Sequence, residues 1–155
     1  MPLSPAQLAT WASLATLLER LPRALDAQLQ DSCGLTHFEY GVLYALDTAP
    51  ERTLRLSTLA GYASCTLSRL SRAFTRLERR GLVQRETDAS DGRFTLGILT
   101  PAGHDLVQSA LPAHHDLVRQ LVFGSLSAEE AGQLGDHSRR IAEAVGPDEV
   151  WRPAP

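Results

Sequence analysis

The stretch from Ser64 to Arg93 constrains this chain most, because it reads as an amphipathic helix running into a β-hairpin. Taken as a helix over Leu67–Arg80 and advanced by about 100° per residue, Leu67, Leu70, Phe74 and Leu77 share one arc of the circumference. Arg69, Arg72, Arg76, Arg79 and Arg80 gather on a similar arc roughly opposite. One side is built to be buried and the other to meet anions. Charge on an amphipathic helix is ordinarily a solvated face, but such a face interleaves acids with bases for i,i+4 pairing. Here five arginines stand against one acid, Glu78, and a one-sided basic stripe is the footprint of a nucleic-acid partner.

The residues after the helix strengthen that reading. Gly81 ends it, and Leu82–Thr87 reads as a strand. Residues 88–92, Asp-Ala-Ser-Asp-Gly, are turn chemistry, since Asp can bond its own backbone and Gly accepts positive φ. Phe94, Leu96 and Ile98 then alternate on a returning strand. Arg93 stands at or beside the hairpin tip. There it is at least an exposed loop arginine, and beside a basic helix it is placed to enter an adjacent minor groove, where narrow A·T stretches concentrate negative potential.

The net charge of −3 would not by itself suggest such a partner. The distribution does: residues 64–93 hold seven arginines and four acids, and the remaining residues are correspondingly acidic. At 155 residues, with 43% hydrophobic and 21% charged residues, the chain has the size and composition of one soluble domain. No apolar run approaches the roughly 18 residues of a membrane span, and no basic-then-apolar leader opens the sequence. A cytoplasmic protein without a membrane partner is expected. Asp148–Pro155, rich in proline, is expected to be loosely ordered, as are the first three residues.

Ser4-Pro5 is a helix start, a capping hydroxyl followed by a proline whose missing N–H does no harm. Leu8, Trp11, Ala15, Leu18, Leu25 and Leu29 come next at helical spacing, with a kink expected at Pro22 and an end at Gly34. Thr36 to Glu39 has the form of a capping box and opens a second helix carrying Phe38, Tyr40, Leu43, Tyr44 and Leu46. Leu54 and Leu56 flank Arg55 in a short extended segment, and Ser57 is expected to cap a brief helix bearing Leu59, Ala60, Tyr62 and Ala63. A turn at Ser64 and Cys65 leads into the basic helix, which completes the ingredients of a helix-turn-helix. Thr100-Pro101 starts a further helix, expected to be interrupted at Pro112 and to stop near Gly124. Ser127 with Glu130 caps the last helix, which runs to Gly146-Pro147. The terminal helices carry more apolar surface than a compact winged domain needs, which a second subunit would cover.

These features resemble the MarR-type winged-helix transcriptional regulators. The resemblance spans roughly Leu8 to Val145 and is sharpest at Leu82-Val83-Gln84-Arg85, at Arg93, and at Leu99-Thr100-Pro101-Ala102-Gly103, which is similar to the family's G-[LW]-V-x-R, D-x-R and L-T-x-x-G series. Leu59-Ala60, Ser71-Arg72 and Leu77 fall in register. The resemblance implies a mainly α fold with a small β-hairpin wing (α+β): a single MarR-like domain over residues 1–155. Its winged helix-turn-helix occupies residues 36–100, and its dimerisation helices occupy residues 5–34 and 101–146. It implies a homodimer reading a pseudo-palindromic double-stranded operator, with Ser68, Arg69, Ser71, Arg72 and Arg76 on the recognition helix and Arg93 on the wing. Many members carry a second basic residue where this sequence has Gly92, so one wing arginine remains. Arg69 and Arg72, nearer the helix start, are expected to reach bases, and Arg79 and Arg80 to be structural or to touch phosphate.

The family often binds aromatic anions in a cleft between the dimer helices and the winged domain. Trp11, His37, Tyr40, Tyr44 and Tyr62 are the candidates to line such a cleft, with Arg55 or Arg85 as anion partner, although aromatics at helical spacing are more often core than pocket. Cys33 and Cys65 have neither metal-ligand nor CxxC spacing, and His114-His115 with Asp116 is expected to be a surface pair, because adjacent helical positions point about 100° apart. No metal, cofactor, catalytic nucleophile or carboxylate pair stands out. The leading expectation is a ligand-released, homodimeric DNA-binding repressor and not an enzyme. Two alternatives are a winged-helix interaction module that does not bind DNA, and an oxidant sensor acting through Cys33 or Cys65.

Overall fold

Each helix begins where a side chain can satisfy its first orphan N–H groups. A computed structural model describes residues 1–146, so the expectation for Asp148–Pro155 and the stop at Pro147 lie outside the described residues. Helix α1, Pro5–Cys33, starts at a Ser4–Gln7 capping box and closes on Gly34 at φ 66°. Helix α2, His37–Asp47, starts at the Thr36–Glu39 box, with Thr36 Oγ1 accepting from the Glu39 N–H at 3.0 Å. A tight turn at Pro50–Arg52 leads into β1, Thr53–Arg55, then α3, Leu56–Tyr62, and α4, Leu67–Arg79. Strands β2, Val83–Thr87, and β3, Thr95–Leu99, form the hairpin, and helices α5, Pro101–Val118, and α6, Ala128–Val145, complete the order. Among the described residues no helix is long and apolar enough to cross a membrane.

The hairpin is part of a three-stranded antiparallel sheet of order β1-β3-β2. Thr53 pairs with Ile98 and Val83 with Leu99, so the segment just before α3 is tied to the wing by backbone hydrogen bonds. Arg85 lies opposite Gly97. A Cβ at Gly97 would stand 2.6 Å from the Phe74 ring and 2.9 Å from Leu56, so only glycine lets the wing lie this close to α4.

The core joins α2, α3, α4 and the strand bases through Leu43, Leu46, Leu59, Leu70, Phe74 and Leu77, all essentially fully buried. Leu29 at the end of α1 and Val107 on α5 close it from the other side. Asp47, at the end of α2, accepts from Gln108 Nε2 at 2.8 Å and meets His104 Nδ1 at 2.6 Å, which fixes α5 across α2. The L-T-x-x-G series has a physical basis here. Thr100 donates to the Gly81 carbonyl and accepts from the Gly103 N–H, while a Cβ at Gly103 would sit 2.2 Å from the Leu82 carbonyl oxygen.

The structure corrects several local expectations. Leu56 is the first residue of α3, Arg55 stands at its N-cap with no side-chain capping bond, and Ser57 is inside the helix. Continuity with β1 sets that start. Helix α5 continues through Pro112, where the sequence predicts an interruption; the proline is exposed, where water can serve the carbonyl it leaves unpaired. Helix α4 is capped by Thr66, whose Oγ1 accepts from the Arg69 N–H, and Arg80 is its C-cap. Leu67, placed on the buried arc by periodicity, is 53% exposed because the helix begins there, beyond the edge of the core. After α5 the chain makes a wide π turn over Arg119–Phe123 before Gly124.

Candidate nucleic-acid interface and adjoining cavity

Helix α4 divides its arginines between those that hold the fold and those that face outward. Arg76 Nε donates to Glu39 Oε1 at 2.9 Å, and Glu39 Oε2 accepts from the Thr36 N–H, so one buried carboxylate caps α2 and holds Arg76. Arg80 donates to the carbonyls of Gly34 and Cys33 at 2.8 and 3.0 Å, closing the end of α1. The exposed Arg69 stands 4.9 Å over the Phe38 ring. Arg72 and Arg79 make no side-chain hydrogen bond or ion pair among the described residues. Ser68 is exposed at the start of the helix, and Ser71 is half-buried.

Two clusters hold the wing. Under α4, Arg85 of β2 pairs with Glu78 and donates to the Ser71 carbonyl at 2.8 Å and to Thr75 Oγ1 at 3.2 Å. At the start of the hairpin loop, Asp88 accepts from Arg55 Nε at 2.9 Å and from the Ser90 N–H and hydroxyl at 2.8 and 2.6 Å. The Ser90 hydrogen bonds and then Arg55 hold the Asp88 carboxyl down at about 2. The guanidinium of Arg55 also lies 4.2 Å over the Phe94 ring. At the tip, Arg93 is 84% exposed and its fork meets both oxygens of Asp91, at 3.0 and 2.7 Å. Those bonds raise the Arg93 pKa and lower that of Asp91. The wing thus presents at its tip one exposed guanidinium oriented by Asp91.

Behind α2, away from the wing, lies a cavity of about 610 Å³ walled by α2, the end of α3 and α5. It brings together His37, Tyr40, Tyr44 and Tyr62, four of the seven residues singled out in sequence for a ligand cleft. The other three lie elsewhere: Trp11 is 53% exposed on the first half of α1, and Arg55 and Arg85 are engaged under the wing. His114 also lines the cavity. It is no surface residue, being 8% exposed with its ring 4.8 Å from Tyr40 and 6.2 Å from His37; its neighbour His115 is the exposed member of the pair. Burial lowers the pKa of both His37 and His114. A second hollow, of about 500 Å³, lies on the far side of His37 and Phe38 and is lined by Asp26 and by Arg69, Arg72 and Arg76.

Comparison with known proteins agrees with this geometry. The MarR family model matches residues 35–95, from the residue before the α2 cap to the first residue of β3. Sco3205 of Streptomyces coelicolor, a MarR family transcriptional regulator solved in complex with DNA, is 40% identical, with a TM-score of 0.92 over 99% of this chain and 96% of that one. Transcriptional regulator HosA of Escherichia coli O157:H7 is 36% identical over 96 residues, 62% of this chain and 69% of its own. Transcriptional repressor MprA of Escherichia coli K12 is 27% identical over 125 residues, 81% of this chain and 68% of its own. The chain belongs to the MarR family. It is a MarR-family transcriptional regulator with the winged-helix fold.

Within the MarR frame, the residues that sequence reading missed are mostly acids. Glu39 was legible only as a cap, and its hold on Arg76 spans 37 positions. Asp88 was legible only as a turn residue, and its partner Arg55 lies 33 positions away. The signal available was that an isolated acid and an isolated arginine each stood in a half-buried segment, which does not say that they meet. Both cysteines are free and half-buried against the core, and Cys33 Sγ lies 3.2 Å from the Leu29 carbonyl. Among the described residues no cluster of His, Cys, Asp or Glu could hold a metal ion.

Proposed function

We propose that this chain is a homodimeric, DNA-binding repressor that sets Leu67–Arg79 of each subunit into successive major grooves, about one helical turn apart. The observation that carries the reading is the set of cations without an acidic partner on α4, Arg69, Arg72 and Arg79, flanked by the oriented Arg93. Arg69 and Arg72 reach base edges, where a bidentate guanidinium on guanine is worth about 1–3 kcal/mol of discrimination. Ser68 and Ser71 stand beside them on the helix, and Arg76 contributes charge from its fixed place on Glu39. Support comes from the DNA complex of Sco3205 and from the repressor name that MprA carries.

Dimerisation is supported by the apolar faces of residues 5–34 and 101–146. Leu8, Trp11 and Leu18 on α1 and Ile141 on α6 are all more than half exposed, and α6 has no buried residue. The cavity behind α2 is the effector site in this reading, and a small aromatic ligand seated there lowers affinity for DNA.

The test is binding of the full chain to the DNA flanking its own gene, followed by fluorescence anisotropy. Affinity falls steeply with added salt as counterions are released, and Arg69→Ala combined with Arg72→Ala weakens binding on the order of hundredfold. Binding that ignores both salt and the double substitution overturns the reading.

A further inference from the structure

Among the described residues the cavity wall is aromatic and aliphatic and carries no fixed charge. No arginine, aspartate or glutamate of the described residues lines it, and the two arginines that the sequence offered as anion partners, Arg55 and Arg85, are held by Asp88 and Glu78. Its polar groups are phenols and imidazoles: Tyr40, Tyr44, Tyr62, His37, His114 and His115.

Tyr40 and His114, the buried members of this set, stay neutral near pH 7. Burial lowers the His114 pKa, and the neighbouring His37 and His115 lower it further by penalising a second positive charge. The remaining groups that meet His114 are uncharged, Gln28 of α1 at 3.2 Å from Nδ1 and Tyr40 of α2. His37, exposed at the edge of the cavity, faces one acid, Asp26 of α1, which accepts the His37 backbone N–H at 2.6 Å; its upward pull is smaller than the downward push of desolvation. The Tyr40 phenol is 3% exposed, has no hydrogen-bond partner among the described residues, and is pushed up to about 12, so it remains a donor in want of an acceptor.

A carboxylate entering such a space gives up its hydration without gaining a cation, whereas an uncharged phenol gives up only hydrogen bonds that imidazole and phenol groups can replace. The volume suits a small-molecule site. We infer that the cavity takes an uncharged aromatic ligand bearing a hydrogen-bonding group and rejects the corresponding carboxylate. The inference rests on the effector reading above and narrows it, and it departs from the aromatic anion that the family resemblance implies.

The matched probes 2-naphthol and 2-naphthoate test it by calorimetry on the full chain. Near neutral pH, 2-naphthol binds at least about tenfold more tightly than 2-naphthoate, and the gap narrows as the pH is lowered and His114 takes up a proton. Gly41→Leu locates the site: Gly41 lines the cavity from the helical run of α2, and a Cβ there meets nothing within 4 Å, so the variant folds and fills the space. Loss of 2-naphthol binding in Gly41→Leu, with its melting temperature kept, supports the assignment. Equal or tighter binding of 2-naphthoate, abolished by Gly41→Leu, overturns the charge selection and leaves an effector cavity in place. Failure of both probes at millimolar concentration overturns the cavity reading altogether, and 2-naphthol binding that survives in Gly41→Leu overturns its location.

Discussion

The winged centre of the molecule and its two terminal helices solve the burial problem in opposite ways. From α2 to β3 the apolar side chains point inward and are closed off within the one chain, with Leu43, Leu46, Leu70 and Phe74 at zero exposure. Helix α1 buries only Leu25 and Leu29, near its C-terminal end, while α6 buries nothing and leaves Leu134, Ile141 and Val145 outside. The centre has a core of its own; the arms have half of one. The charges divide the same way. In the centre, most acids are placed to hold an arginine, as Glu39, Glu78, Asp88 and Asp91 do. On the arms, ion pairs such as Arg23 with Glu19 are solvated neighbours on one helix, a class of interaction worth little.

The sharpest way to break this contrast is to charge the arms. Leu18→Glu with Ile141→Glu should yield a monomer by light scattering and lower DNA affinity by about 10²–10⁴, because two linked half-sites become one. A variant that stays dimeric would place the partner surface elsewhere. Next in size, Phe74→Ala should cost about 3–5 kcal/mol in urea unfolding, the range for an aromatic removed from a packed core. The contrast requires that loss to appear equally at every protein concentration, whereas unfolding of the proposed dimer through its arms would depend on concentration. A smaller effect, about 1 kcal/mol, is expected for Thr36→Ala, which leaves the start of α2 without its cap.

The last test uses pH. His114 is held neutral by burial, so below about 6.5 the unfolded chain gains a proton that the folded chain resists, and stability falls. Asp88 acts further down. Its folded value is about 2 against the ordinary 3.8, so its stabilisation is intact above 3.8 and disappears as pH falls through 2. Thermal melts in acid should show both declines; Asp88→Asn should remove the lower one, and a lower decline that persists would assign it to another carboxylate.

Local signals carried much of this architecture. Ser4, Thr36, Thr100 and Ser127 cap helices as their sequence patterns indicate, since a cap depends only on residues three positions apart. Leu70, Phe74 and Leu77 are buried as the period predicts, and Arg93 is at the hairpin tip. What periodicity misplaced depended on neighbours distant in the chain. Leu67 satisfies the repeat but overhangs the core edge, and Ser57 has cap chemistry inside a helix whose start is set by the pairing of β1 with β3. His114 is drawn inside by Tyr40 and His37, which face it from α2. The cavity is legible only in part for the same reason: four of its aromatics stood out, but a wall shared by three helices is not written in any one of them.

The two oxygens of Glu39 carry a lesson for anyone who would redesign what this protein reads. One oxygen starts α2 and the other fixes Arg76, so the proposed recognition surface and the scaffold are joined at a single carboxylate. Exchanging Arg76 to change sequence preference would strand a buried charge and loosen a helix at once, confounding any change in selectivity with a change in folding. Arg69 and Arg72 form no ion pair with the scaffold. In the proposed DNA-bound state they are the positions where a new preference can be installed one residue at a time.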